Sequence, residues 1–100
     1  MAYWPKPGKE EELLHLVRSR VPLLRKEGLV TDRVPTIVRS RDGTIVEVSE
    51  WKSREALDAA HKNPSVLAMW DKFFALCECV PLNTVPESAD MFAGFEPVAD

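Results

Sequence analysis

Residues 34–51 read Val34-Pro-Thr-Ile-Val-Arg-Ser-Arg-Asp-Gly-Thr-Ile-Val-Glu-Val-Ser-Glu-Trp51, and this stretch decides the fold. Asp42-Gly43 stands between two β-rich runs, 34–41 and 44–51. An Asp-Gly pair in that setting predicts a hairpin, because both residues tolerate positive φ. Strand alternation then sorts the side chains. Val46, Val48 and Glu50 share one face, and Ile45, Glu47, Ser49 and Trp51 the other. The partner strand puts Val34 and Val38 on one side and Ile37 on the other. Apolar residues thus occupy both faces, whereas a sheet with one wet face alternates cleanly. Helices cover only one face. The simplest cover for the second is the same sheet of another copy, so a homodimer packed through the sheet face is expected.

Upstream, Tyr3 and Trp4 read as the end of a short strand, stopped by the stiff turn Pro5-Lys6-Pro7-Gly8. A helical pattern begins near Lys9. Glu10, Glu11 and Glu12 fill its first turn, where negative charge suits the helix dipole. Leu13, Val17, Val21 and Leu24 make its apolar stripe, widened by Leu14. Pro22 predicts a kink or a second short turn, and Gly28 a left-handed cap. Downstream, Ser53 caps a helix whose inner face is Ala56, Leu57 and Ala60. Asn63-Pro64 interrupts it. Val66, Leu67, Trp70, Phe73, Phe74 and Cys77 then form a broad stripe at helical spacing. Residues 79–82 read as a last strand, and an irregular tail follows from about residue 83. The order strand, helix, strand, strand, helix, strand is the ferredoxin-like βαββαβ arrangement: an α+β fold with two helices on one face of an antiparallel sheet.

The chain's 100 residues, 45% apolar and 29% charged, suit a single globular domain spanning 1–100. The longest apolar runs, 66–70 and 73–77, are five residues each, so no helical membrane span is expected. The N-terminus shows no basic-then-apolar leader, and a cytoplasmic protein is expected. With 13 Lys and Arg against 16 Asp and Glu, a phosphate-backbone binder is not expected. Arg18, Arg20, Arg25 and Lys26 read as a solvated helix face. Cys77 and Cys79 make no disulfide framework, and His15 and His61 lie too far away in sequence to complete a metal site, so no metal is expected. The two thiols read as small buried side chains in a reducing compartment. Phosphate loop, dinucleotide fingerprint and Ser-His-Asp order are all missing.

Four segments carry a resemblance: Pro-Lys-Pro-Gly-Lys-Glu at 5–10, Arg-Asp-Gly-Thr at 41–44, Glu-Trp-Lys-Ser-Arg-Glu-Ala at 50–56 and Ala-His-Lys-Asn-Pro at 60–64. Over roughly residues 3–82 the chain resembles the dimeric α/β-barrel superfamily, and within it the small proteins similar to antibiotic-biosynthesis monooxygenase domains. The resemblance implies a dimeric α/β barrel with a cavity between helices and sheet in each subunit. It does not imply one reaction, since such proteins include cofactor-free oxygenases, haem-degrading enzymes, lactone isomerases and stress-response proteins. The haem-degrading branch uses an Asn on the first strand. Here that strand offers Tyr3 and Trp4, so neither haem nor another cofactor is expected.

The candidate base is His61 or Glu50. His61 has a plain alternative as a polar residue at a helix C-terminus. Glu47 and Glu50 fall on opposite strand faces, so one of the two points inward; an inward carboxylate suits a base. The alternative for Glu50 is an ion pair with Arg39 or Arg41. Trp51, Trp70, Phe73 and Phe74 are candidate walls for a flat hydrophobic or aromatic ligand, with ordinary core packing as the alternative. The expected function is cofactor-independent oxidation or isomerisation of an aromatic or polyketide-like molecule. A non-catalytic small-molecule-binding or stress-response protein of the same fold is the other reading.

Overall fold

The computed structural model describes residues 1–98. Five strands, β1 (Ala2–Pro5), β2 (Thr36–Arg39), β3 (Ile45–Val48), β4 (Cys77–Val80) and β5 (Glu96–Pro97), form one antiparallel sheet in the order β4-β1-β3-β2-β5. Three helices, α1 (Glu10–Lys26), α2 (Arg54–Ala60) and α3 (Pro64–Leu76), complete the regular elements among the described residues together with two short 3-10 turns at Leu82–Thr84 and Pro86–Ala89. The α+β, ferredoxin-like plan is the observed one. The expected second helix is divided at Asn63-Pro64. There the Asn63 side chain caps α3, accepting from the Ser65 and Val66 amides at 2.9 and 3.2 Å.

Local chemistry explains most of the boundaries. Helix α1 ends in a two-bond cap: Gly28, at φ 74°, donates to the Arg25 carbonyl, and Leu29 donates to the Leu24 carbonyl, both at 3.0 Å. Pro22 does not divide α1 as expected. It lies within a continuous 17-residue helix, because Val17, Val21 and Leu24 hold the turns on either side against the core. The hairpin turn also differs from expectation. Only Gly43 takes positive φ, at 95°, and Asp42 does not. Gly43 donates back to Ser40 at 3.0 Å and Ser40 donates to Thr44 at 2.8 Å. This is a three-residue loop ending in a left-handed glycine, not a two-residue mirror turn. Strand β4 starts two residues earlier than the expected 79, since α3 ends at Leu76 and Cys77 is already extended at φ −155°.

The core lies between helices and sheet. Leu13, Val17, Val21 and Leu24 of α1 meet Tyr3, Ile37 and Ile45 of the sheet, with Val66, Met69 and Phe73 from α3. The α3 stripe is rotated from the sequence expectation: Met69 is buried, whereas Leu67 and Phe74 are exposed.

The outer sheet face bears out the two-sided pattern, and part of it is covered from within the chain. The tail folds back over it. Val85 and Phe95 pack on Ala2, Val46, Val38 and Val80. Glu87 ties the tail down, accepting from Ser40 Oγ at 2.6 Å and the Arg41 amide at 2.8 Å. Arg41–Asp90 and Arg39–Glu96 ion pairs at 2.9 and 3.2 Å add two further ties. The Val98 amide donates to the Ile37 carbonyl at 3.2 Å. The segment read as an irregular tail thus carries only two short 3-10 turns and a two-residue strand, and it is fastened to the sheet by these contacts. Cover is incomplete, for Val48 and Leu82 stay 61% and 56% exposed on this side.

Candidate functional site

Helix α3 and strand β4 build the site together. Pro64 and the Asn63 cap fix where α3 starts, and helical spacing then carries Trp70, Phe73 and Phe74 toward β1 and β4. The result is a ladder of rings running from core to surface. Tyr3 stacks on Phe73 at 5.0 Å between centroids, Phe73 lies 5.0 Å from Trp70, and Trp70 lies 6.1 Å from Phe74. These separations fall in the range of attractive aromatic pairs. Around the outer end opens a cavity of about 330 Å³ lined by Met1, His61, Trp70, Phe74 and Cys79.

His61 follows the last residue of α2 and is exposed, so it reaches the cavity rim from a helix C-terminus. Of the four expected walls, Trp70 and Phe74 line this cavity. Phe73 is wholly buried and acts as core behind them. Trp51 sits apart from the cavity, where its β-bridge to Val30 places it over Arg20. Of the six residues named from sequence, the structure brings together His61, Trp70 and Phe74 and leaves Phe73, Trp51 and Glu50 outside the cavity.

Glu50 is not the inward carboxylate. It is exposed, accepts from Thr31 Oγ1 at 2.9 Å and pairs with Arg33 at 3.3 Å. That partner differs from the expected Arg39 or Arg41. Glu47 is the inward one. It shares a strand face with Ile45, and its side chain is wholly buried. Arg20 Nη1 donates to Glu47 Oε1 at 2.9 Å, and Tyr3 Oη donates to the same oxygen at 3.1 Å. Arg20 also donates to Ser49 Oγ at 3.4 Å. Trp51 and Trp70 each present a ring 5.8 Å from the guanidinium, cation–π contacts that line its hydrophobic surroundings. Arg20 was read from sequence as part of a solvated face, and this is corrected: the residue is buried. Its signal was positional. Residues 13, 17, 20 and 24 recur at spacings of four, three and four, so Arg20 falls within the stripe of Leu13, Val17 and Leu24.

Burial shifts the groups beside this network. Desolvation drives the Tyr3 phenol far above its ordinary range, so it acts as a neutral donor. Cys77, pointing into the core, has its thiol pushed up to about 12 by burial, and Cys79 at the cavity is raised for the same leading reason. Both cysteines are free thiols. Among the described residues, no three His, Cys, Asp or Glu side chains are grouped to hold a metal ion, and no helix is long and apolar enough to cross a membrane.

A family model described as antibiotic biosynthesis monooxygenase matches residues 1–72. The match takes in Tyr3, Arg20, Glu47, Trp51, His61 and Trp70, and stops before Phe73, Phe74 and Cys79. No curated protein and no solved structure matches the chain.

Proposed function

Because the chain belongs to the antibiotic biosynthesis monooxygenase family, we propose that it oxidises a small aromatic or polyketide-like molecule seated against Trp70 and Phe74. One juxtaposition supports the reading: His61, whose imidazole is able to take and give a proton, shares a cavity of about 330 Å³ with two aromatic rings. The imidazole takes the proton of a phenol or enol. The electron-rich ring then reduces dioxygen directly. One oxygen atom becomes a new carbonyl on the substrate. The other leaves as water, carrying the two hydrogens the substrate loses. No bound cofactor enters this scheme, because the substrate supplies the electrons. Glu50 has no part in it, being held by Arg33 and Thr31.

The proposal includes a homodimer joined through the outer sheet face, where Trp4, Val48 and Leu82 remain exposed beside the tail. Sedimentation at micromolar concentration giving a single 11.3 kDa species would remove this part of it.

Dioxygen uptake with 1-naphthol as probe tests the chemistry. The expected result is uptake with formation of a naphthoquinone, reduced about 100-fold or more in His61→Ala. Unchanged uptake in the variant removes His61 from the role of base. A second reading, binding without turnover, is favoured by one observation. The cavity is open, with His61 exposed and Phe74 57% exposed, whereas oxidation of a reactive anion is best served by a dry site. Probe binding with no uptake by the parent protein selects that reading.

A further inference from the structure

A second cavity lies on the sheet face turned away from the helices, between the β2–β3 hairpin and the tail. It measures about 370 Å³, and Val38, Val46, Val48, Leu82, Val85 and Phe95 make its apolar walls. Strand pairing gives it a direction. Thr36 pairs with Val48 and Val38 with Val46, as successive rungs on the outer face. Thr36, Val48 and Leu82 are exposed and form the mouth, whereas Val46 and Val85 are buried and lie deeper. One rung further along, Glu87 accepts from Ser40 Oγ at 2.6 Å and closes the inner end. From Thr36 to Ser40 the strand advances about 13 Å. The space is thus an elongated trench, open at one end.

The walls restrict what fills it. Glu87 is spent on Ser40 and the Arg41 amide, and Ser88 Oγ donates to the Val85 carbonyl at 2.7 Å. Thr36 stands at the exposed mouth. A water molecule needs two to four polar partners to settle in a cavity, and the deep walls here are Val38, Val46, Val85 and Phe95. Apolar guests suit such a space: an engineered apolar cavity of about 150 Å³ takes benzene, and this one is more than twice that size. The shape and chemistry also differ from those of the cavity beside His61, where Trp70 and Phe74 offer flat ring faces. Valines and a leucine predominate in the trench, and its length suits an extended alkyl chain. A polar head finds no partner among the deep walls, so it stays at the mouth.

We propose that this trench binds the unbranched hydrocarbon chain of an amphiphilic small molecule. The chain tip lies among Val46, Val85 and Phe95, and the polar head meets water beside Thr36 and Leu82. All the walls belong to one copy of the chain, so the inference stands apart from both the oxidation and the homodimer proposed above.

The probe is 1-octanol, titrated into the parent protein beside 1-butanol and 1-hexanol and followed by methyl chemical shifts. Affinity is expected to rise about fourfold for each added methylene. Nuclear Overhauser contacts from the terminal methyl of 1-octanol are expected at Val46 and Val85, and from its carbinol protons at Thr36 or Leu82. Val48→Trp narrows the mouth at an exposed strand position and should weaken 1-octanol binding about 10-fold or more, with the circular dichroism spectrum unchanged. The contacts in the parent protein decide the matter if that variant fails to fold. Absent binding, an affinity that stays flat along the series, or contacts confined to Trp70 and Phe74 overturns the inference. So does a mixture of labelled and unlabelled protein in which Val46 and Val85 meet side chains of a second copy in place of the alcohol. Undiminished affinity in folded Val48→Trp removes the assigned mouth, and the proposal with it.

Discussion

Arg20→Met removes the cation from a wholly buried carboxylate and leaves Glu47 with Tyr3 Oη as its remaining side-chain partner, at 3.1 Å. Breaking a buried ion pair on one side costs about 3–5 kcal/mol, because the surviving charge has neither water nor a counter-ion. Domains of this size gain roughly 0.2 kcal/mol/K of unfolding entropy, so each kcal/mol moves the midpoint about 5 °C. The single variant is therefore expected to melt roughly 15–25 °C below the parent. Glu47→Leu on its own leaves the guanidinium unpaired and costs a similar amount. Removing the whole network, as in Arg20→Met/Glu47→Leu/Tyr3→Phe, strands no polar group, and stability should return to within about 2 kcal/mol of the parent or exceed it. Thermal and urea unfolding followed by circular dichroism measures each step. A cost below about 1 kcal/mol for Arg20→Met, as for a solvated pair, refutes the burial argument. A triple variant as unstable as the single one refutes the claim that desolvation offsets the pairing.

Three further outcomes follow from the same structure. Phe73→Ala empties the middle of the aromatic ladder between Tyr3 and Trp70; it should cost about 3–5 kcal/mol in chemical denaturation, and a loss under about 1 kcal/mol contradicts its core placement. A thiol reagent at pH 8 should label Cys79 and spare Cys77 until the chain is unfolded, since a thiol held near 12 carries a thiolate fraction of about one in ten thousand; equal labelling of both in the native protein is the contrary result. Hydrogen bonds from Ser40 Oγ and the Arg41 amide hold the Glu87 carboxyl below its ordinary value. Its stabilising contribution is thus present above the unfolded pKa of about 4.3 and lost as pH falls through the depressed folded value. Acid proteolysis at about pH 3 should then cut within 81–98 before the rest of the chain, and Glu87→Ala should give the same early cut at pH 7 with proteinase K. A tail equally resistant in both conditions shows that Glu87 does not fasten it.

Sequence by itself determined the order of elements and the α+β plan. Alternation in β3, the α1 stripe, Gly28, Ser53 and the Asn63-Pro64 break are local signals, set by backbone geometry within a few residues, and each appears in the structure. Local signals also gave the inner and outer faces of β3, but not which carboxylate carried chemistry. Glu47 and Glu50 differ only by parity until the helices settle on one face. Pro22 shows the same limit from the other side: its local cost is outweighed by core contacts before and after it.

What tertiary structure decided was the company each residue keeps. Arg20, Glu47 and Tyr3 lie 17 to 44 positions apart and meet because antiparallel pairing sets Tyr3 against Ile45, two residues from Glu47, while α1 crosses the same face. His61, Trp70 and Cys79 converge because α3 runs directly into β4. The tail's return over the outer face is equally non-local, fixed by Glu87 reaching a turn 46 and 47 residues earlier. Helical and strand periods report only which side a residue faces. Which side chains meet across the layer depends on register, topology and packing of the whole chain.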